Sequence, residues 1–85
     1  MRIKILYFAR IRELLGLTNE QVQLQGESWD IDSLIDYLCH NRDSQWSDAL
    51  RQENLLIAVN QAIVKGSHGL CSGDEVAFFP PVSGG

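Results

Sequence analysis

Basic clusters, long apolar runs and CxxC cysteine pairs are all missing from this 85-residue chain. Seven Lys and Arg stand against eleven Asp and Glu, a net charge of −4, and the basic residues are scattered, with Arg10 and Arg12 close together as Arg2 and Lys4 are. A nucleic-acid binder needs a basic stripe, so that class is set aside. No apolar run approaches the roughly 18 residues that span a bilayer, and the N-terminus lacks the charged-then-apolar plan of a signal peptide. No membrane association and a cytoplasmic location are the expectation. Cys39 and Cys71 are the only cysteines, which suits two reduced thiols, although sequence leaves a disulfide open. Cys39-His40 and His68-x-x-Cys71 do not make a convincing metal set, because neighbours on a helix point about 100° apart. Expected instead are Cys39 packed as a small hydrophobe, His40 and His68 on the surface, and no metal. Repeats, low-complexity tracts, an internal linker and a catalytic triad are absent as well.

What remains is ordinary globular material with an unusual ending. Apolar residues make up 45% and charged residues 21% of the chain, and a chain of this size buries roughly 60 to 65% of its unfolded surface. That supplies one core but little room for a deep private cleft. Arg2 to Phe8 alternates as a strand, with Ile3, Ile5 and Tyr7 on one face and Lys4, Leu6 and Phe8 on the other. Ile11, Leu14 and Leu15 give a short helix that Gly16 is placed to stop. Gln21 to Gln25 reads as a half-buried strand. Asp30 is placed as an N-cap ahead of the Ile31, Leu34, Ile35, Leu38 stripe, which predicts the principal core helix. A shorter helix is expected from near Asp43 or Ser44, with Trp46, Ala49 and Leu50 as packing residues. Leu55 to Val59 is a buried strand, and Asn60-Gln61 a turn into Ile63-Val64 that lacks the usual glycine. Gly66 to Gly73 reads as a surface connection.

The last strand, Asp74 to Phe79, sets Val76 and Phe78 on one face and Glu75, Ala77 and Phe79 on the other. If the first of these faces packs on the long helix, the second leaves Leu6, Phe8, Ala77 and Phe79 on an open sheet face, a candidate docking surface. Pro80 and Pro81 then fix φ and remove donors, so the strand ends there. Val82 to Gly85 follow as an extended, flexible arm reaching roughly 13 Å at about 3.3 Å per residue. Two glycines in succession thread a narrow channel easily, and Gly85 ends in a bare α-carboxylate. The division expected is a domain over 1–81 and a tail over 82–85.

The run Phe8-Ala9-Arg10-Ile11-Arg12-Glu13-Leu14, the Ala58-Val59-Asn60-Gln61 turn, the stretch from Gly73 to Val82 and the terminal Gly84-Gly85 together resemble the MoaD family. Its members are the small, sulfur-carrying subunits of molybdopterin synthase. The resemblance runs through the whole chain and implies an α+β fold: a β-grasp, ubiquitin-like mixed sheet packed on one main helix, with short additional helices. It also implies first and last strands that are parallel neighbours. The implied chemistry sits at Gly85, which a MoeB-like adenylating enzyme would activate with ATP and a sulfur donor system would convert to a thiocarboxylate. Val82, Ser83 and Gly84 would insert with it into a MoaE-like large subunit, where sulfur passes to cyclic pyranopterin monophosphate to build the molybdopterin dithiolene. Phe8, Ile63, Phe79, Pro80, Pro81 and Arg12 would form the docking surface, and the assembly would be a heterotetramer. No cofactor would stay bound, nucleotide entering only as the adenylate. Arg12 and Glu13 are equally open to an intramolecular ion pair, and Ser83 is no nucleophile, with no histidine near it in sequence. Three alternatives use the same residues differently: a sulfur carrier for thiamine or tRNA thiolation, a ubiquitin-like protein modifier, and a structural interaction domain indifferent to Gly84 and Gly85.

Overall fold

Alternating inward side chains and one amphipathic helix organise the molecule. The computed structural model describes residues 1–81, so Val82, Ser83, Gly84 and Gly85, and with them the expected 81/82 boundary, lie outside the described residues. The elements are β1 (Arg2–Tyr7), α1 (Ala9–Leu15), β2 (Asn19–Gln23), α2 (Ile31–Cys39), α3 (Ser44–Leu50), β3 (Leu56–Val59), β4 (Ala62–Val64) and β5 (Glu75–Phe79). They form a five-stranded sheet in the order β2-β1-β5-β3-β4. β1 and β5 run parallel, whereas β2 on β1, β3 on β5 and β4 on β3 are antiparallel. This is the mixed sheet of a β-grasp fold, with the first and last strands adjacent.

Ile3, Ile5 and Tyr7 of β1 and Val76 and Phe78 of β5 point into the core and are almost fully buried. The helical stripe Ile31, Leu34, Ile35 and Leu38 joins the same apolar cluster, as do Trp46, Ala49 and Leu50 of α3. Each such side chain stabilises the fold by about 1.5–3 kcal/mol through area removed from water. Asp30 caps α2 as expected, and it does so reciprocally. Its carboxylate accepts from the Ser33 N–H at 2.8 Å, while the Ser33 Oγ accepts from the Asp30 N–H at 2.9 Å. Those bonds from Ser33 hold the Asp30 carboxyl below the usual carboxylate range. Gly16 ends α1 in the left-handed conformation at φ 72°.

Several expectations need correction. β2 spans Asn19–Gln23, two residues ahead of the expected Gln21 to Gln25, because pairing with β1 from Leu6↔Asn19 to Arg2↔Gln23 sets its limits. Leu24 is still buried, its N–H donating to the Met1 carbonyl beyond the strand. β1 ends at Tyr7, since Phe8 is the N-cap of α1, and β3 starts at Leu56, not Leu55. The Gly66–Gly73 segment is more than a surface connection. The carbonyls of His68 and Gly66 accept from the Ile31 and Asp32 N–H groups, satisfying donors at the α2 N-terminus, and Leu70 is buried. A Cβ on Gly66 would meet the Asp32 carboxylate, an exposed side-chain end that would have to turn aside. Arg12 and Glu13, finally, are exposed, and neither joins the ion pairs found among the described residues.

Cys39 is half-buried and Cys71 exposed, both as free thiols. Cys39 packs against the core, and burial pushes its thiol pKa up. His40 and His68 are exposed. No helix among the described residues is long and apolar enough to cross a membrane.

Candidate functional site

The outer face of the sheet owes its shape to strand register. Leu6 pairs with Ala77, Ala77 with Ala58, and Ala58 with Ile63, so these four residues form one row across β1, β5, β3 and β4. Two alanines in the middle of that row make a trough between larger side chains. Ala58 and Ala77 are buried yet stand outside the core cluster, which places them on the face opposite α2. Phe8 and Phe79 wall the trough at one end, their rings stacked with centroids 4.6 Å apart and planes 4° from parallel. Ile63, Gln61 and Glu75 complete the lining. Ile63 is 65% exposed, the largest exposure among the big apolar side chains of the described residues.

The trough sits at the root of the tail. β5 delivers Phe79 to its wall, and the half-buried Pro80 and Pro81 follow directly. Of the expected docking residues, Phe8, Ile63 and Phe79 are therefore brought together. Arg12 lies on α1 and does not line the trough. Gly85, Gly84, Ser83 and Val82 fall outside the described residues. Ala58 escaped the sequence reading, because a buried alanine in an apolar run carries no sign of which face it serves. Only the Ala58↔Ala77 pairing reveals it.

The hairpin beside the trough is held without glycine. Asn60 and Gln61 take φ of 50° and 72°, as a two-residue turn of the I′ kind requires. Asn60 tolerates this because its side chain is anchored on both sides, Nδ2 donating to Asp74 Oδ1 at 2.9 Å and Oδ1 accepting from the Glu75 N–H at 3.0 Å. The turn is thus tied to the start of β5, and Gln61 and Ile63 are held beside Ala77.

Beneath the opposite face lies a polar network that the sequence did not disclose. The Tyr7 hydroxyl donates to Glu20 at 2.7 Å, and Glu20 receives both Arg42 guanidinium arms at 3.0 and 3.1 Å. Arg42 in turn lies 4.0 Å above the Trp46 ring, and Trp46 meets Tyr7 edge to face. Trp46 packs as expected and also carries a cation. Burial and then the Glu20 hydrogen bond push the Tyr7 pKa far up, so the phenol stays protonated. Burial opposes ionisation of Glu20, but hydrogen bonds from Arg42 and Tyr7 outweigh it and hold the carboxyl below its usual range. A depressed carboxylate pKa contributes stability above the unfolded-state value near 4.3, and that stability is lost as pH falls through the folded value. Glu20→Gln is therefore expected to cost about 1–2 kcal/mol at neutral pH. The difference from the parent should shrink in acid, as pH falls below the unfolded-state value and the parent takes up the proton. Urea unfolding at the two pH values measures this, and an equal gap at both would show that the charge contributes nothing.

Residues 5–85 match the model of the ThiS family. The chain is 42% identical over 83 residues to the molybdopterin synthase sulfur carrier subunit of Escherichia coli (strain K12), with 98% of this chain and 99% of that one covered. Among solved structures it is similar to a putative molybdopterin converting factor, subunit 1, from Pyrococcus furiosus. That likeness has a TM-score of 0.73 at 29% identity and covers 96% of this chain and 99% of the other. A further similar fold, at TM-score 0.69 and 22% identity with both chains fully covered, occurs in a complex of subunits 1 and 2 of molybdopterin-converting factor from Helicobacter pylori 26695.

Proposed function

This chain belongs to the ThiS family, alongside the sulfur carrier subunits of molybdopterin synthase, and from that premise we propose that it carries sulfur on Gly85 for molybdopterin synthesis. The observation that bears most weight is the stacked Phe8–Phe79 pair and the alanine-floored trough at the point where the chain leaves β5 toward Gly84-Gly85. A carrier needs a partner-binding surface, and an apolar trough walled by Phe8 and Phe79 supports that reading. The partner is the large subunit of the synthase, an assignment supported by the two-subunit complex in which the Helicobacter fold occurs. The assembly is a heterotetramer working in the cytoplasm.

A carboxylate is a poor electrophile. A MoeB-like enzyme converts Gly85 with ATP to an acyl adenylate, pyrophosphate leaving, and thereby gives the carbonyl carbon a good leaving group. The outer sulfur of a donor persulfide then displaces AMP to form an acyl disulfide, and a second thiol of the donor system cleaves its S–S bond, leaving a disulfide on the donor and a thiocarboxylate on Gly85. This soft nucleophile enters the large subunit with Val82, Ser83 and Gly84, the glycine leaving the channel unobstructed. There it transfers sulfur to cyclic pyranopterin monophosphate, and two transfers build the dithiolene. The large subunit provides the acid–base groups, so this chain alone turns over nothing and keeps no cofactor.

Mass spectrometry of the C-terminal peptide from native cells, after thiol alkylation, tests the reading. Sulfur in place of one oxygen on Gly85 is expected. An isopeptide bond from Gly85 to a lysine would instead make the chain a protein modifier. A terminus left unmodified after exposure to ATP, adenylating enzyme and sulfur donor would leave only a binding module.

A further inference from the structure

The passage from β1 into α1 runs through Phe8 and Ala9, and the second of these has a strained backbone. Phe8 is still extended, at φ −119° and ψ 152°, and its N–H donates to the Phe78 carbonyl at 3.1 Å, so it continues the strand it came from. Its own carbonyl already accepts from the Ile11 and Arg12 N–H groups, so it also opens the helix. Ala9, the first residue of α1, follows directly at φ 52°. That is the left-handed region, in which an L-residue with a Cβ is disfavoured and glycine is the ordinary occupant. Ala9 is exposed, so no burial of its methyl group explains the choice.

The reversal has a definite product. Three residues apart, Phe8 must lie on the outer face against Phe79 while Ile11 is fully buried on the inner side. A one-residue joint in the left-handed conformation satisfies both. Phe8 also receives no side-chain cap or other hydrogen bond to fix its ring, so its direction depends on this joint and on the stack. Strained backbone beside a functional surface is a recognised means of preorganisation.

We propose that Ala9 is a positioning residue for docking: its left-handed joint, stiffened by the presence of a Cβ, holds the Phe8 ring over Phe79 in the orientation the partner receives. The proposal rests on the reading of the trough as the surface that meets the large subunit. Glycine at this position accepts the same angles but many others too, so the ring is no longer held in advance of binding.

The test uses the full chain and its cognate large subunit. Ala9→Gly is expected to unfold at the same temperature or higher, since strain is relieved. At the same time the nuclear Overhauser contacts between the Phe8 and Phe79 rings of the free protein should weaken, and Kd for the large subunit should rise about three- to ten-fold. Ala9→Asn keeps a Cβ and favours the left-handed region, so it should retain both ring contacts and affinity. Unchanged ring contacts and Kd in Ala9→Gly would overturn the proposal, and so would an equal loss in Ala9→Asn, which would trace the effect to the methyl group itself. Phe8→Ala separates the two layers. If it binds as the parent does, the docking reading fails and takes the proposal with it. If it loses affinity while Ala9→Gly does not, only the role of Ala9 is lost.

Discussion

Deleting Gly85 abolishes thiocarboxylate formation and brings molybdenum-cofactor synthesis to background, with the unfolding midpoint unchanged. Both halves of this expected result follow from where the core lies. Among the described residues the buried apolar ones run from Ile3 to Phe78, and the strand pairing ends at Phe79. On the proposed function the reactive carbonyl, by contrast, is that of Gly85. Removing it transfers the terminus to Gly84, one residue or about 3.3 Å short of its position. A reacting atom misplaced by even 1 Å costs on the order of a hundred-fold in rate. Complementation of a strain lacking the small subunit, with cofactor assayed by its oxidised fluorescent product, measures the outcome beside a thermal melt. Normal cofactor levels in the shortened chain would sink the carrier assignment.

The second large effect is predicted for Ile63→Asp. Ile63 lies on the edge strand β4, is 65% exposed and stands outside the core cluster, so stability should change by no more than about 0.5 kcal/mol. At the trough the same carboxylate would be pressed between Ala58 and a partner's apolar surface. An uncompensated charge in such a place costs about 3–5 kcal/mol, a Kd weakened by roughly two to three and a half orders of magnitude. Titration calorimetry against the large subunit gives the number directly. Affinity within two-fold of the parent would mean that the partner sits elsewhere, whatever becomes of Gly85.

How far these sites could be read in advance depends on the range of the interactions that make them. The alternation Ile3-Ile5-Tyr7 and the stripe Ile31-Leu34-Ile35-Leu38 declare their buried faces by spacing alone, and the fold placed every one of them inside. Phe8 and Phe79 were legible as outward-facing, since each follows directly from alternation along its own strand. The Glu20–Arg42 pair was not, because its partners stand 22 residues apart and neither has a local pattern. Ala58 was missed for a related reason: its role is conferred by Ala77 and Ile63, its neighbours in register, and by nothing in its own segment. The hairpin at Asn60-Gln61 was expected despite its missing glycine, and the reason it holds, the Asp74 and Glu75 anchors, lies in another strand.

The central pairing of β1 with β5 also has a bearing on time. Lys4 meets Glu75 and Tyr7 meets Phe78, so the first strand made on the ribosome waits for the last described strand before either is complete. Contacts of such long sequence separation are formed late and slowly. A chain interrupted before β5 lacks the middle of its sheet, leaves β1 and β3 with open edges and has no Phe79 for Phe8 to stack on. The surface a partner would recognise is therefore written only once synthesis has passed it, which makes docking a check on the chain's completion as well as on its identity.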